Sequence, residues 1–281
     1  MVSLGSLCSM FSFVLDTVRL ALRLKISILI PAYNERSSIR TVIERVFSLP
    51  IDNLEVIVVD DGSNDGTFEI AKACLATYSG LRLYQQPLNG GKTAAIARAI
   101  REATGDILMI QDADLEYDPQ EIPDVIQPIL SNRADVVYGS RFMVKRAARV
   151  LYFYHFLANK GLTLLSNFLT NRNMSDIETC YKAFRKEVIQ PMTLTSRGFG
   201  MEVEITAMIC KTQARTYEVP ISYYGRTYEE GKKIGLRDGF EALWFICYYN
   251  LIHPFTKQGK SYIRDVNKLL AQRQLAETTN G

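Results

Sequence analysis

Histidine is almost missing from this chain of 281 residues: His155 and His253 are the only two. Zinc centres draw on several imidazoles or on paired thiols, and the cysteines do not make up the shortfall. Cys8, Cys74, Cys180, Cys210 and Cys247 are scattered, odd in number and without a CxxC pair. That usage argues against a disulfide framework or a zinc site and for a reducing compartment. There is no GxxxxGK[ST] loop and no GxGxxG turn, which removes the P-loop and dinucleotide-binding signatures. No uninterrupted apolar run reaches the roughly 18 residues that suggest a membrane span. The formal charge of +3 gives no reason to expect a nucleic acid partner.

What is present is a rhythm. Apolar residues make up 47% and charged residues 22%, enough for a substantial core. From Lys25 onward the runs KISILIPAY, LEVIVVDDG, LRLYQQP, DILMIQDAD and ADVVYGSRF read as buried strands rich in Ile, Val and Leu. Helical text alternates with them: SSIRTVIERVFSL, GTFEIAKACLATY, KTAAIARAIREAT and DPQEIPDVIQPILSN. Ser37 or Ser38 and Asp118 are expected helix caps, with Pro119 suited to a first helical position. The alternation predicts an α/β fold, a mainly parallel sheet flanked by helices. Past about Val144 it fades into helical text (149–171), a loop SDIETCYKAFR, a Gly-rich segment RGFGMEVEITAMI, a strand with a loop (217–233) and an aromatic helix (237–255). No internal repeat or low-complexity linker divides the chain.

In parallel sheets, ligands bind beyond the carboxyl ends of the strands. PAYNE (31–35), DDGSNDGT (60–67), NGGK (89–92), DADLE (112–116) and GSR (139–141) all follow strand ends, so five polar tips are expected on one rim. In DADLE, carboxylates two positions apart can grip one hard cation from the same side of a loop. Such oxygen donors suit Mg²⁺ or Mn²⁺ bridging to a diphosphate; an acidic loop that is merely solvated reads the same way. DDGSNDGT has glycines for a tight turn into a helix, and is also good turn-and-cap text. NGGK at the head of a helix is open to an approaching anion.

Taken in order, PAYNE, VVDDGSNDGT, NGGK, DADLE, YGSRF, SDIETCYKAFR and YYGRTYEEGKK resemble a family 2 glycosyltransferase with a GT-A, Rossmann-like fold. They are most similar to dolichyl-phosphate mannose synthases and other polyprenyl-phosphate glycosyltransferases, over about Lys25 to Asn250. The resemblance implies inverting, metal-dependent transfer of a hexose from a nucleotide-sugar, GDP-mannose or UDP-glucose, to a polyprenyl phosphate. It places Pro31, Tyr33, Glu35, Asp60 and Asp61 at the base and ribose, and Lys92 near the nucleotide or its phosphates. Asp112 and Asp114 would hold the metal. Glu116 stands where relatives carry Gln or another polar group, which puts a metal role for it in question. Ser140, Arg141 and Arg226 would bind the acceptor phosphate, helped by Lys232 and Lys233. Asp176 and Glu178 lie where family members that glycosylate hydroxyls keep a base.

Chemistry separates the acceptors. A sugar hydroxyl needs a positioned base, whereas a phosphate monoester, with its second pKa about 6, is already ionised and needs cations to hold it. Arginine suits that through bidentate contacts, so Arg141 and Arg226 favour a phosphate acceptor over a saccharide hydroxyl. Structural ion pairs are the plain alternative for both arginines. A non-catalytic nucleotide-sugar-binding protein is the third reading, against the intact DAD, NGGK and GSR set. The expected organisation is an amphipathic N-terminal helix or extension (1–24), a catalytic domain (25–236), and an aromatic helix with a basic tail (237–281). Charges inside the first segment and aromatics beside basic residues in the last suit a lipid interface or a core-packed helix with a solvated tail; with the polyprenyl acceptor that the resemblance implies, they point to peripheral attachment to the cytosolic face of a membrane. A membrane-anchoring subunit is a further expected partner.

Overall fold

The computed structural model describes residues 24–143, 152–198, 200–226 and 236–280, with Arg149 and Glu229. The expected N-terminal helix, but for its last residue, and the helpers Lys232 and Lys233 lie outside the described residues. Strands β1 (Ile26–Ala32), β2 (Leu54–Asp60), β3 (Leu81–Gln85), β4 (Ile107–Ile110), β5 (Val136–Ser140), β6 (Lys182–Arg185) and β7 (Thr216–Pro220) form one sheet in the order β3-β2-β1-β4-β6-β5-β7. All neighbours are parallel except β6, which runs antiparallel to both β4 and β5. Every residue of β1, β4 and β5 is buried, which explains their continuous rather than alternating apolar text.

Helices α1 (Ile39–Phe47), α2 (Thr67–Cys74), α3 (Lys92–Glu102) and α4 (Ile122–Leu130) connect the parallel strands. In α1, Ile39, Val42, Ile43 and Val46 are the buried residues, at the i, i+3, i+4, i+7 spacing of a helix face. Asp118 caps as expected, accepting from the Gln120 N–H at 3.1 Å ahead of the short 3₁₀ turn Pro119–Glu121. Ser38 occupies the cap position of α1 but turns its hydroxyl to Glu35 at 3.0 Å.

The end of SDIETCYKAFR is a strand and not a loop. Its last four residues are β6, which fills the gap between β4 and β5 and pairs with both. The charged ends that disguise it are absorbed locally. The Lys182 ammonium donates to the carbonyls of Ile177, at 3.1 Å, and Thr179; Arg185 donates to the Ile129 carbonyl at 2.8 Å. After β5 come α5 (Phe153–Thr170), the short α6 (Lys186–Ile189), and α7 (Met201–Ile209), in which every residue is buried. Helices α8 (Leu236–Leu251) and α9 (Lys257–Asn280) close the chain. The segment expected as a basic tail is thus part of α9, which docks on the domain through buried Tyr262, Val266 and Leu270.

One buried carboxylate ties β2 to its neighbours. Glu55 accepts from Ser27 Oγ at 2.7 Å, the Thr104 N–H at 3.0 Å and Arg82 Nη1 at 2.8 Å. Burial alone would raise its pKa, but these bonds outweigh burial and bring it from 4.5 to about 2. Because the folded value lies below the unfolded one, the stabilisation is complete above pH 4.5 and drains away as pH falls toward 2. A displacement of that size corresponds to about 3 kcal/mol. Glu55→Gln is expected to lower stability in urea melts at pH 7 by about 2–3 kcal/mol, and the deficit should narrow below pH 4.5. A deficit equally large at pH 3 and pH 7 would show that ionisation is not its source.

Candidate active site

The polar strand tips gather on one rim, as the parallel topology requires. Past β1, Tyr33 is 40% exposed, while Pro31 is buried within the strand. Asp60, the last residue of β2, and Asp61 just beyond it are both buried. Asp61 accepts from the N–H groups of Gly90 and Gly91 at 2.9 and 2.8 Å and from Gln86. It therefore clamps the NGGK loop from below; burial leaves its pKa raised despite these bonds. Asp60 accepts from the Ser63 N–H and from Gln85, both at 3.2 Å. Gly91 adopts φ 84°, a conformation costly for other residues, and turns the loop into α3 so that Lys92 heads the helix.

DADLE turns sharply beyond β4. Asp114 Oδ1 accepts from the Glu116 N–H at 3.1 Å, and Leu115 is held at φ 61°. A left-handed leucine stores strain of order 1 kcal/mol; here the turn spreads Asp112, Asp114 and Glu116 along the rim. Each carboxylate already faces a cation. Lys92 Nζ is 2.9 Å from Asp112 Oδ1, and Arg226 Nη2 is 2.6 Å from Asp114 Oδ2. Arg226 also reaches Glu116 Oε1 at 3.0 Å and Glu35 Oε1 at 3.4 Å. The second oxygen of Glu116 accepts from the Tyr223 hydroxyl at 2.7 Å. Glu116, weighed as a third metal ligand, is thus bonded on both oxygens to Arg226 and Tyr223.

Among the described residues no group of three or more His, Cys, Asp or Glu side chains stands ready to hold a metal ion. The chemistry of the donor pair nonetheless fits a hard divalent cation. Burial, then the charges of Asp112 and Glu116, push the Asp114 carboxyl up to about 7. A local excess of negative charge of this kind is what a bound cation relieves.

Arg141 and Asp176 form the second centre. Asp176 is fully buried and accepts from Arg141 Nε at 2.7 Å, Nη2 at 2.8 Å and the backbone N–H at 3.2 Å. Burial alone would raise the Asp176 pKa, yet the Arg141 charge and hydrogen bonds hold it below the ordinary value. The Arg141 guanidinium lies over the Tyr223 ring, 5.1 Å from its centroid, so the two centres share that tyrosine. Ser140 is buried and paired with the Ser175 hydroxyl at 2.6 Å. Glu178 is half-buried with its Oε1 enclosed; burial, then the charge of Glu202, raises it to about 7.

Three further groups join the site that the sequence motifs did not single out. Cys180 donates from Sγ to Asp112 Oδ1 at 3.0 Å. Tyr223 bridges Glu116 and Arg141. Glu202, on the buried α7, stands 3.4 Å from Lys92. Only Glu202 left a trace: two glutamates inside GMEVEITAMI are out of place in a wholly buried helix.

Beside Arg141 the surface turns apolar. Phe142 packs edge-on against Phe156 of α5 at 5.3 Å, and Lys160 of α5 caps the Phe142 ring at 4.1 Å. Phe153, Leu157, Leu164 and Phe168 run exposed along α5, and Phe240, Leu243, Trp244 and Leu251 along the adjoining α8. Phe168 is 81% exposed and Trp244 63%. No helix among the described residues is long and apolar enough to cross a membrane.

The chain matches the family model "Glycosyl transferase family 2" over residues 27–192. It is 32% identical over 215 residues to the dolichol-phosphate mannosyltransferase of Pyrococcus furiosus, covering 75% of this chain and 60% of that one. It is 31% identical over 202 residues to glycosyltransferase AglJ of Haloferax volcanii, covering 72% and 63%. These matches span less than two thirds of either relative's length. The UDP-N-acetylglucosamine–dolichyl-phosphate N-acetylglucosaminyltransferase of Methanococcus voltae is 27% identical over 252 residues, 84% of this chain and 97% of that one. Among solved structures, glucosyl-3-phosphoglycerate synthase from Mycobacterium tuberculosis, in complex with Mn²⁺, uridine diphosphate and phosphoglyceric acid, aligns with a TM-score of 0.66 at 20% identity, over 84% of this chain and 82% of that one. That likeness concerns the fold, which is the GT-A, Rossmann-like arrangement expected from the sequence.

Proposed function

This chain belongs to glycosyl transferase family 2 and is a glycosyltransferase, and we propose that it moves a hexose, with inversion, from a nucleotide-sugar to the phosphate of a polyprenyl lipid. The observation that carries the acceptor assignment is the state of Asp176. A general base must reach its proton and hold a pKa near working pH. Asp176 is buried, locked to Arg141 and shifted downward, and Glu178, although raised to about 7, has its Oε1 closed off from solvent. An acceptor that brings its own negative charge requires no base. Asp176 engages the Nε and Nη2 edge of Arg141, which leaves Nη1 to meet phosphate oxygens, and Arg226 supplies a second guanidinium nearby. Relatives named for dolichyl-phosphate acceptors support the same reading.

On the donor side, Tyr33, Asp60, Asp61 and the NGGK loop would receive the nucleotide, UDP or GDP. Asp112 and Asp114 would hold Mg²⁺ or Mn²⁺. Such an ion, when bound, offsets the charge growing on the departing diphosphate. Lys92 stands beside Asp112 to share that task, and Glu116 holds Arg226 in place. The exposed apolar stripe of α5 begins next to Arg141, that of α8 adjoins it, and both suit a cytosolic membrane surface from which the lipid phosphate reaches the guanidinium.

The test is transfer of label from radiolabelled GDP-mannose, UDP-glucose or UDP-N-acetylglucosamine, with Mg²⁺ or Mn²⁺, to polyprenyl phosphate in anionic vesicles. Label is expected in the organic extract, with the protein co-sedimenting with the vesicles. Phe168→Glu with Trp244→Glu should cut co-sedimentation by about tenfold, yet preserve transfer to a short, water-soluble polyprenyl phosphate. Label found only in water-soluble glycans would overturn the acceptor; unchanged sedimentation would overturn the docking face.

A further inference from the structure

The two glutamates in the first turn of α7 are bound very differently. Glu204 is fully used by the preceding loop: its oxygens accept from the Thr195 N–H at 2.9 and 3.0 Å, Thr195 Oγ1 at 2.9 Å and the Ser196 N–H at 2.8 Å. Glu202 is 4% exposed and among the described residues has one ion pair, Lys92 Nζ at 3.4 Å from Oε1. Its Oε2 is buried without a hydrogen-bond partner. The Lys182 ammonium offsets part of its charge, but a buried carboxylate oxygen left unbonded is costly, and the folding of α7 does not explain it as it explains Glu204.

Lys92 has the complementary property. Its ammonium is shared between Asp112 at 2.9 Å and Glu202 at 3.4 Å. A cation held by Asp112 alone would compete directly with any metal for the same carboxylate. To leave Asp112 it needs another anion within reach, since an unpaired ammonium in a half-buried place is disfavoured. Arg226 has the same construction, with Asp114 on one side and Glu116 and Glu35 on the other.

We propose that Glu202 is a positioning residue for Lys92: it receives the lysine when Asp112 turns to a divalent cation, and so sets how tightly that cation is held. The inference rests on the donor-site reading given above. Glu202 touches neither metal nor sugar in this role; it acts through Lys92.

The test is a set of Mn²⁺ titrations, read by loss of the free-ion paramagnetic resonance signal with UDP or GDP present. Parent, Glu202→Gln, Lys92→Met and the double variant are compared, with melting curves to confirm folding. Glu202→Gln should weaken Mn²⁺ binding by about tenfold in the parent and by less than about threefold where Lys92 is already methionine. A simple through-space effect of the lost charge would weaken binding equally in both backgrounds and would overturn the proposal, as would no change in either. Glu202→Asp, which draws the carboxylate back by one methylene, should weaken binding by about threefold and gives a second reading if the glutamine variant does not fold. A parent protein that binds Mn²⁺ with neither nucleotide removes the donor-site reading itself. Binding by the parent that is indifferent to Glu202 removes this inference alone.

Discussion

Asparagine at position 114 is expected to lower transfer by at least about a thousandfold while leaving the melting temperature close to that of the parent protein. The substitution removes one of the two hard oxygen donors on the rim. Its structural cost should be small because Asp114 is under electrostatic strain: burial and the charges of Asp112 and Glu116 raise its pKa from 3.8 to about 7. A carboxyl whose folded pKa lies above its unfolded value disfavours the folded state as pH rises through that interval. A neutral amide removes that penalty. Arg226 loses its 2.6 Å partner but keeps Glu116 at 3.0 Å and Glu35 at 3.4 Å. The measurements are kcat/KM at saturating Mn²⁺ and a thermal melt at pH 7.5. Activity within tenfold of the parent would remove Asp114 from the donor site, and a collapse in melting temperature would make its role structural.

Asparagine at position 176 should behave in the opposite way, with a large loss of stability and an unaltered pH response. Asp176 is the buried anion that neutralises Arg141, and breaking such a pair by removing one partner costs about 3–5 kcal/mol. Most single domains survive a loss of that size. Arg141 would no longer be held in its fork, so transfer should fall by about a hundredfold. The shape of the pH profile carries the information. For a phosphate acceptor, kcat/KM rises with pH through the second ionisation at about 6, and that limb should persist in the variant. Were Asp176 the base for a hydroxyl acceptor, the limb belonging to it would vanish and small exogenous carboxylates would restore activity. Urea melts and a pH–rate series on the variant distinguish the two.

The parallel half of the sheet was legible before any coordinates. β1, β2 and β4 are dominated by Ile, Val and Leu because both faces are covered, and such text has few other readings. The motifs after them were legible for a topological reason: parallel strands all end on one side, so polar tips that are far apart in the chain must share a rim. β6 was not legible. It has four residues, begins with a lysine and ends with an arginine, and qualifies as a strand only because nearby carbonyls accept its charges. Cys180 and Tyr223 were invisible for a similar reason, since neither sits in a pattern of its own.

Residue period thus specified an α/β scaffold and residue chemistry the charged groups on its rim, while the GT-A form was implied by the resemblance of the ordered motifs. Which cation meets which anion was settled only in three dimensions. Arg226 reaches Glu35 across 191 positions of chain and Asp114 across 112, and Asp176, which lies where some family members keep a base, is a buried counter-ion to Arg141. Local periodicity reports which face a side chain presents. It carries no distances between loops, and ion pairing, burial and pKa depend on those distances.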